Sequence, residues 1–402
     1  MMSSERETVF SVFLTFLKLG CTSFGGPVAH IGYFREEFVV RRRWIDEHTY
    51  GDLVAFCQFL PGPASSQIGI SIGLAKSGIS GALAAWAGFT IPSALLLIAF
   101  GYGVIVFPDV LSGGALHGLK IVAVAVVAQA VWGMAQTMCP DIHRITLAAV
   151  AAIIVLYFPS PFTQIAVIIL GAVAGFALQS GSIENRHTSV GIQISKIFAN
   201  SSLFLFISLL ILLPIAASTF PSQTLTLIDS FYRSGSLVFG GGHVVLPLLQ
   251  SEVVPTGWVT NNSFLAGYGA AQAVPGPLFT FAAYLGTVMM PQPNGWQGGI
   301  ICLLSIFLPS FFLVIGLLPY WDELRQRKFV QKALLGVNAS VVGLLLAALY
   351  NPVWTSGILS PSDFALALFA FTLLVFWKVS PWFVVLLTTI CSWGLSIVMG
   401  AG

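Results

Sequence analysis

Charge is scarce in this chain. Of its 402 residues only 8% are Asp, Glu, Lys or Arg, 56% are hydrophobic, and the mean hydropathy is +0.91. That balance excludes a water-soluble globular domain. The formal net charge of +2 points to no polyionic partner, and no nucleic-acid partner is expected. Cysteine is sparse: Cys21, Cys57, Cys139, Cys302 and Cys391 lie singly in or beside apolar segments, with no C-x-x-C pair. This leaves no disulfide framework and no thiolate metal site. There is no H-E-x-x-H and no nucleophile–base pair, so the chain does not read as an enzyme and no cofactor is expected. No small-residue cleavage site follows the mixed-charge start M-M-S-S-E-R-E-T, so no removable signal peptide is expected.

What is abundant is apolar sequence, in runs over about 82–107, 117–138, 145–158, 161–179, 200–219, 297–319, 333–351, 362–377 and 381–399. Most reach or approach the ~20 residues that span a bilayer core. In lipid each backbone amide needs an internal partner, so these segments must be helices. The expected class is all-α and polytopic, with the lipid bilayer as surroundings.

Phrases also recur. F-L-K-L-G-C-T-S-F-G-G-P (16–27) returns as F-Y-R-S-G-S-L-V-F-G-G-G-H (231–243) at an offset of 215 residues, and Q-F-L-P-G-P (58–63) as Q-A-V-P-G-P (272–277) at 214. Pro92-Ser93 returns as Pro309-Ser310 at 217, and L-H-G-L-K-I-V-A-V (116–124) aligns with L-L-G-V-N-A-S-V-V (334–342) at 218. Four landmarks in one order make two copies of one unit. The expected division is 1–180 as the first repeat, 181–222 as a polar linker plus one connecting transmembrane helix, and 223–402 as the second repeat.

Basic residues stay on the cytoplasmic side. Arg35, Arg41, Arg42, Arg43 and Lys76 have no basic counterparts in 253–262 or 291–295. Conversely, 107–117 lacks Lys and Arg where its partner holds Arg325, Arg327, Lys328 and Lys332. Equivalent loops are therefore expected on opposite sides. Span parity agrees, because the segments before the connecting helix return the chain to the side it left. The repeats should have inverted topology, with the N-terminus and the polar stretch 180–200 cytoplasmic and the C-terminus on the far side.

The best-repeated features are the Gly/Pro breaks inside apolar sequence. Such breaks are tolerated only where protein or a watery cavity receives the freed backbone groups. Broken or re-entrant helices in inverted repeats are the sequence signature of secondary transporters. Pro27, Pro63, Pro277 and Gly240-Gly241-Gly242 each precede an apolar stretch, which makes four inward helix N-termini. These ends carry free N–H groups and partial positive charge, the chemistry that binds oxyanions. The candidate substrate-binding residues are Ser23, Gly25, Gly26, His30, Gln58, Pro61, Gly62, Ser65, Ser66 and Gln67 in the first copy, and Gly240, Gly241, His243, Gln272, Pro275, Gly276 and Thr280 in the second.

Charges within the segments add to this set. Lys18 and Arg233 occupy matched positions; Asp229, one turn before, can neutralise Arg233, whereas Leu14 leaves Lys18 without a local partner and free to attract an anion. Glu37 and Glu252 also match. Together with His30 and His243 they are the candidates for proton coupling; for Glu37 the other reading is an interfacial pair with Arg41.

The stretches 16–31, 34–47, 58–67, 239–249 and 272–286 resemble the chromate ion transporter family in its long-chain, two-domain form, and the resemblance covers roughly 8–138 and 225–351. It implies export of chromate across the cell (inner) membrane, driven by the proton motive force and conferring chromate resistance. Sulfate is the chemical look-alike, and the alternative is a transporter of sulfate or another tetrahedral oxyanion, by uptake. Protons and the oxyanion are the implied partners, with a second copy of the chain (a homodimer) admitted. A lipid-phosphate enzyme or a non-transporting scaffold would leave the duplicated breaks unexplained.

Overall fold

The computed structural model describes residues 7–107, 114–177 and 194–398. The polar stretch expected at 180–200 and the loop at 107–117 lie largely outside the described residues. Among those described, every regular element is helical. The apolar runs fold as expected, because a helix satisfies its own backbone without water.

The first half contains α1 (Val9–Thr22), α2 (Gly26–Arg35, continued by a wider π-turn over Glu36–Arg41), α3 (Glu47–Phe59), α4 (Ala64–Val106), α5 (Gly114–Met138), α6 (Ile142–Tyr157) and α7 (Pro161–Ala174). Next comes α8 (Lys196–Thr219). The second half holds α9 (Gln223–Leu237), α10 (Val245–Val253), α11 (Asn261–Ala271), α12 (Phe281–Val288), α13 (Gly295–Leu317), α14 (Lys328–Ala348), α15 (Pro361–Val375) and α16 (Pro381–Val398). The element order after α8 parallels that before it, with one difference. The helix α4 is continuous in hydrogen bonding but kinked at Ser77 and Gly78, where φ is −141° and +63°. At the matching place the second half leaves the helix altogether between α12 and α13.

Among the described residues five helical segments are long and apolar enough to cross a membrane: Ala64–Val106, Gly114–Met138, Lys196–Thr219, Gly295–Leu324 and Lys328–Gly357. Shorter apolar helices surround them. With 14 residues, α1 reaches about 21 Å, less than the thickness of a bilayer core. The helix α8 is peripheral: only 6% of its most apolar stretch is buried, and Phe204, Ile211 and Leu212 point outward, as a lipid-facing helix requires.

Each half's first helix packs on its own long helix through glycine. A Cβ on Gly20 would lie 2.7 Å from the Gly88 carbonyl oxygen, and one on Gly235 would strike the Ile306 carbonyl. Close backbone approach of this kind holds helices together where lipid removes the hydrophobic drive. The two halves also share cores. Leu313, Val314 and Leu318 pack among Phe16, Phe34, Phe56 and Phe89 of the first half, while Ala94 and Leu97 share a core with Phe281, Leu285 and Cys302 of the second. The lower part of α13 and the upper part of α4 run antiparallel. Trp86 meets Phe307 and Phe311 at 5.7 and 5.9 Å, and at the other end the Trp296 N–H donates to Tyr102 Oη at 2.9 Å.

Candidate functional site: the junction of the four breaks

The four breaks meet. The Gly62 N–H donates to the Val238 carbonyl at 2.7 Å, and the Gly276 N–H donates to the Ser23 carbonyl at 2.9 Å. Ser23 and Val238 are matched positions, as are Gly62 and Gly276, so each half's P-G-P break hydrogen-bonds the other half's F-G-G break. The same reciprocity governs the side chains. A Cβ on Gly62 would lie 2.9 Å from Ser310 Oγ, and one on Gly276 would lie 2.8 Å from Ser93 Oγ. Both glycines need their missing Cβ twice over, because φ is +118° at Gly62 and +100° at Gly276.

The helices that start at these breaks lack side-chain caps. Thr8, Asp46, Asp141, Ser160, Ser222, Thr260 and Ser360 cap their helices through side-chain oxygens. Gly25, Pro63, Gly241 and Pro277 cannot. Polar groups collect around them instead. His30 is fully buried; its Nε2 lies 3.2 Å from the Ser23 carbonyl and its Nδ1 3.3 Å from Ser65 Oγ, which joins the two breaks of the first half. Gln67 donates from Nε2 to the Pro61 carbonyl at 2.6 Å while its Oε1 has no partner. Ser23 Oγ, Ser66 Oγ, Thr90 Oγ1, Ser310 Oγ and Gln272 Nε2 are likewise buried without a hydrogen-bond partner. Buried polar atoms in native proteins are nearly all paired, so six orphans at one junction call for a polar guest or ordered water. Thr280 differs, since its hydroxyl is satisfied by the Pro277 carbonyl at 2.7 Å.

Not all expected residues join this group. Gln58 and Gly25 are exposed, Gly26, Pro61, Gly240 and Gly241 are half-buried, and Pro275 is buried. His243 bonds Tyr268 Oη at 2.8 Å through Nδ1. Lys18 corrects an expectation. It has a partner, Glu37 Oε2 at 3.8 Å, and its side chain is 54% exposed. The pairing was invisible locally because Glu37 lies 19 residues away, beyond the break. Glu37 is buried and also accepts from Arg41 and Arg42, each at 2.8 Å, which extends the expected Arg41 pair to three cations. The matched pair in the second half is Arg233 with Glu252 at 3.0 Å, and Arg233 also holds Asp229 at 3.1 Å. Each half thus sets a cation of its first helix against a carboxylate beyond its first break. Tyr268, Thr90, Ser93 and Ser310 are functional candidates that residue type alone did not raise. For the two serines a signal existed, since Pro-Ser recurs in both copies.

Among the described residues no cluster of His, Cys, Asp and Glu could hold a metal ion. The junction is instead a set of neutral hydroxyls, amides and helix ends, which suits a hydrogen-bonding anion.

The chain is 27% identical over 336 residues to the chromate transport protein of Pseudomonas aeruginosa, covering 83% of this chain and 78% of that one. It is 28% identical over 358 residues to an uncharacterised transporter of Methanocaldococcus jannaschii, covering 86% and 85%. To the chromate transport protein of Cupriavidus metallidurans it is 25% identical over 354 residues, covering 86% and 83%. No solved structure matches it. The chromate transporter family profile matches residues 10–176 and again 225–393, both halves in turn, and the chain is therefore a multi-pass helical membrane protein of the chromate transporter family.

Proposed function

We propose that this protein is a secondary transporter that exports chromate across the cell membrane, coupled to the proton motive force, with the junction of the four breaks as its oxyanion site. The observation that carries this reading is the reciprocal pair Gly62–Val238 and Gly276–Ser23, ringed by buried polar atoms that have no partner. Uncapped helix ends and hydroxyls solvate an oxyanion without a fixed counter-charge. Relatives named as chromate transport proteins supply the ion.

The halves, 1–180 and 223–402, are read as inverted repeats joined through 181–222. The antiparallel run of α4 against α13 supports this, because those helices follow matching landmarks. So does the Arg325–Asp52 pair at 3.3 Å, which brings the basic 321–327 turn to the same face as the basic 35–43 collar. That face is assigned to the cytoplasm, together with the N-terminus. A second reading, transport of sulfate, rests on the neutrality of the site: hydrogen bonds alone separate two tetrahedral dianions poorly.

The test is uptake of radiolabelled chromate and sulfate by everted membrane vesicles, with and without a protonophore. Chromate accumulation that the protonophore abolishes is expected. Accumulation indifferent to the protonophore would remove the coupling, and preference for sulfate would replace the substrate.

A further inference from the structure

The charge balance around the two matched cation–carboxylate pairs is opposite. In the first half Glu37 meets Lys18, Arg41 and Arg42, so positive charge is in excess. In the second half a single guanidinium, Arg233, meets Asp229 and Glu252, so one negative charge is left over. Both carboxylates and the guanidinium are largely buried, where an uncompensated charge is costly.

Among the described residues no other charge neutralises the surplus. The helices packed about this group are α7, α8, α10, α13 and α14. The helices α7 and α13 have no charged residue, and α10 has only Glu252. The only charge in α8 is Lys196, at its first residue, whereas Tyr232 of α9 meets α8 ten residues on, at the Phe206 carbonyl. In α14 the charges are Lys328 and Lys332, at its start, where Lys332 packs on Gly175 at the far end of α7.

The group opens on a cleft. Arg233, Ser234, Leu237, Ser251, Glu252 and Gln164 line a narrow opening with room for about one water molecule. Two of its atoms are unpartnered: Arg233 Nε, and Oε1 of Gln164, a residue only 4% exposed whose Nε2 is fixed on the Pro247 carbonyl at 3.1 Å. Leu237, which lines the cleft, is the chain neighbour of Val238, whose carbonyl receives the Gly62 N–H. The cleft therefore reaches from Arg233 and Glu252 to within one residue of the break junction. At the matched corner of the first half Trp382 packs against Phe24, ring centroids 6.0 Å apart.

From this geometry we infer that Asp229, Arg233 and Glu252 form the proton-carrying site of the transport cycle, loaded through the cleft between α7, α9 and α10. One proton from the outer aqueous phase forms an O–H bond on one of the two carboxylates. Arg233 stays charged and pairs with the other, so the loaded group is neutral and the unloaded group carries one negative charge. The pair shares the proton and titrates as a unit. Gln164 and the serines of the cleft hold the water that delivers it. The inference rests on the transport reading above and names the residues that couple it.

The experiment uses the purified full-length protein in liposomes and two assays of labelled chromate: accumulation driven by an imposed pH gradient, and chromate–chromate exchange at equal pH. Asp229→Asn and Glu252→Gln keep an acceptor for Arg233 but cannot share a proton as a carboxylate pair. Each is expected to exchange chromate within about twofold of wild type while its gradient-driven accumulation falls to the level without a gradient. Elution as a monodisperse peak checks folding, and if one variant fails it the other carries the test. Gradient-driven accumulation that survives in both variants would overturn the inference. Loss of exchange together with accumulation would also overturn it, because the group would then hold the fold or the anion. A wild-type protein that exchanges no chromate would overturn the transport reading itself.

Discussion

Replacing Gly276 by alanine probes the contact between the halves without removing its hydrogen bond, since the N–H to the Ser23 carbonyl is retained. Two costs arise. A side chain at φ +100° costs about 1–2 kcal/mol in backbone strain. The added Cβ would also sit 2.8 Å from Ser93 Oγ and 3.1 Å from the Phe89 carbonyl oxygen, overpacking worth roughly 1–3 kcal/mol. The sum is roughly 2–5 kcal/mol. Gly26 is the internal control, because it has φ +75° with nothing within 4 Å of an added Cβ, so Gly26→Ala costs only the strain, about 1–2 kcal/mol. Ser93→Ala removes the nearest atom, and the double variant Gly276→Ala/Ser93→Ala should recover roughly 1–2 kcal/mol. Unfolding in mixed detergent micelles, followed by circular dichroism, measures all four. Equal losses for Gly276→Ala and Gly26→Ala, or strict additivity with Ser93→Ala, would refute the packing argument.

Three further outcomes are expected. In a chain whose five cysteines are replaced by serine, single cysteines at the exposed positions Ser80 and Gln297 should label from opposite membrane faces, and labelling from one face would end the inverted topology. Ser66→Ala and Ser310→Ala delete hydroxyls that have no partner, so stability should change by no more than about 0.5 kcal/mol. Their chromate transport should fall about tenfold or more, as befits a hydrogen bond to an anion, and unchanged transport would remove them from the site. Lys18→Ala removes an exposed cation from Glu37, which Arg41 and Arg42 still hold, and should cost less than about 1 kcal/mol in stability while lowering chromate flux in everted vesicles; full flux would end its anion-attracting role.

The helices were readable because hydrocarbon leaves the backbone no alternative, and the breaks because Gly and Pro recur in order. Asp229 with Arg233, and Glu37 with Arg41, were readable too, since four residues along a helix bring side chains together. Lys18 with Glu37 was not, because the chain turns at Gly25 and helical spacing carries no information across a turn. Gln58 shows the converse: it repeats as Gln272, yet its helix turns it outward while Gln272 Nε2 is buried. The exchange of hydrogen bonds between Gly62, Val238, Gly276 and Ser23 lies beyond any local pattern, since it joins residues more than 170 positions apart that are otherwise unremarkable amides and carbonyls.

That exchange has a consequence for assembly. A first half alone would present the Gly62 amide and the Ser23 carbonyl with nothing to answer them, and a second half alone would present the Gly276 amide and the Val238 carbonyl. Each such group, left dry, costs roughly 1–3 kcal/mol, and hydrocarbon offers no water in compensation. The two lacks are complementary, donor for acceptor. Each half is thus unfinished in the same way, and the two become a folded protein only by completing one another.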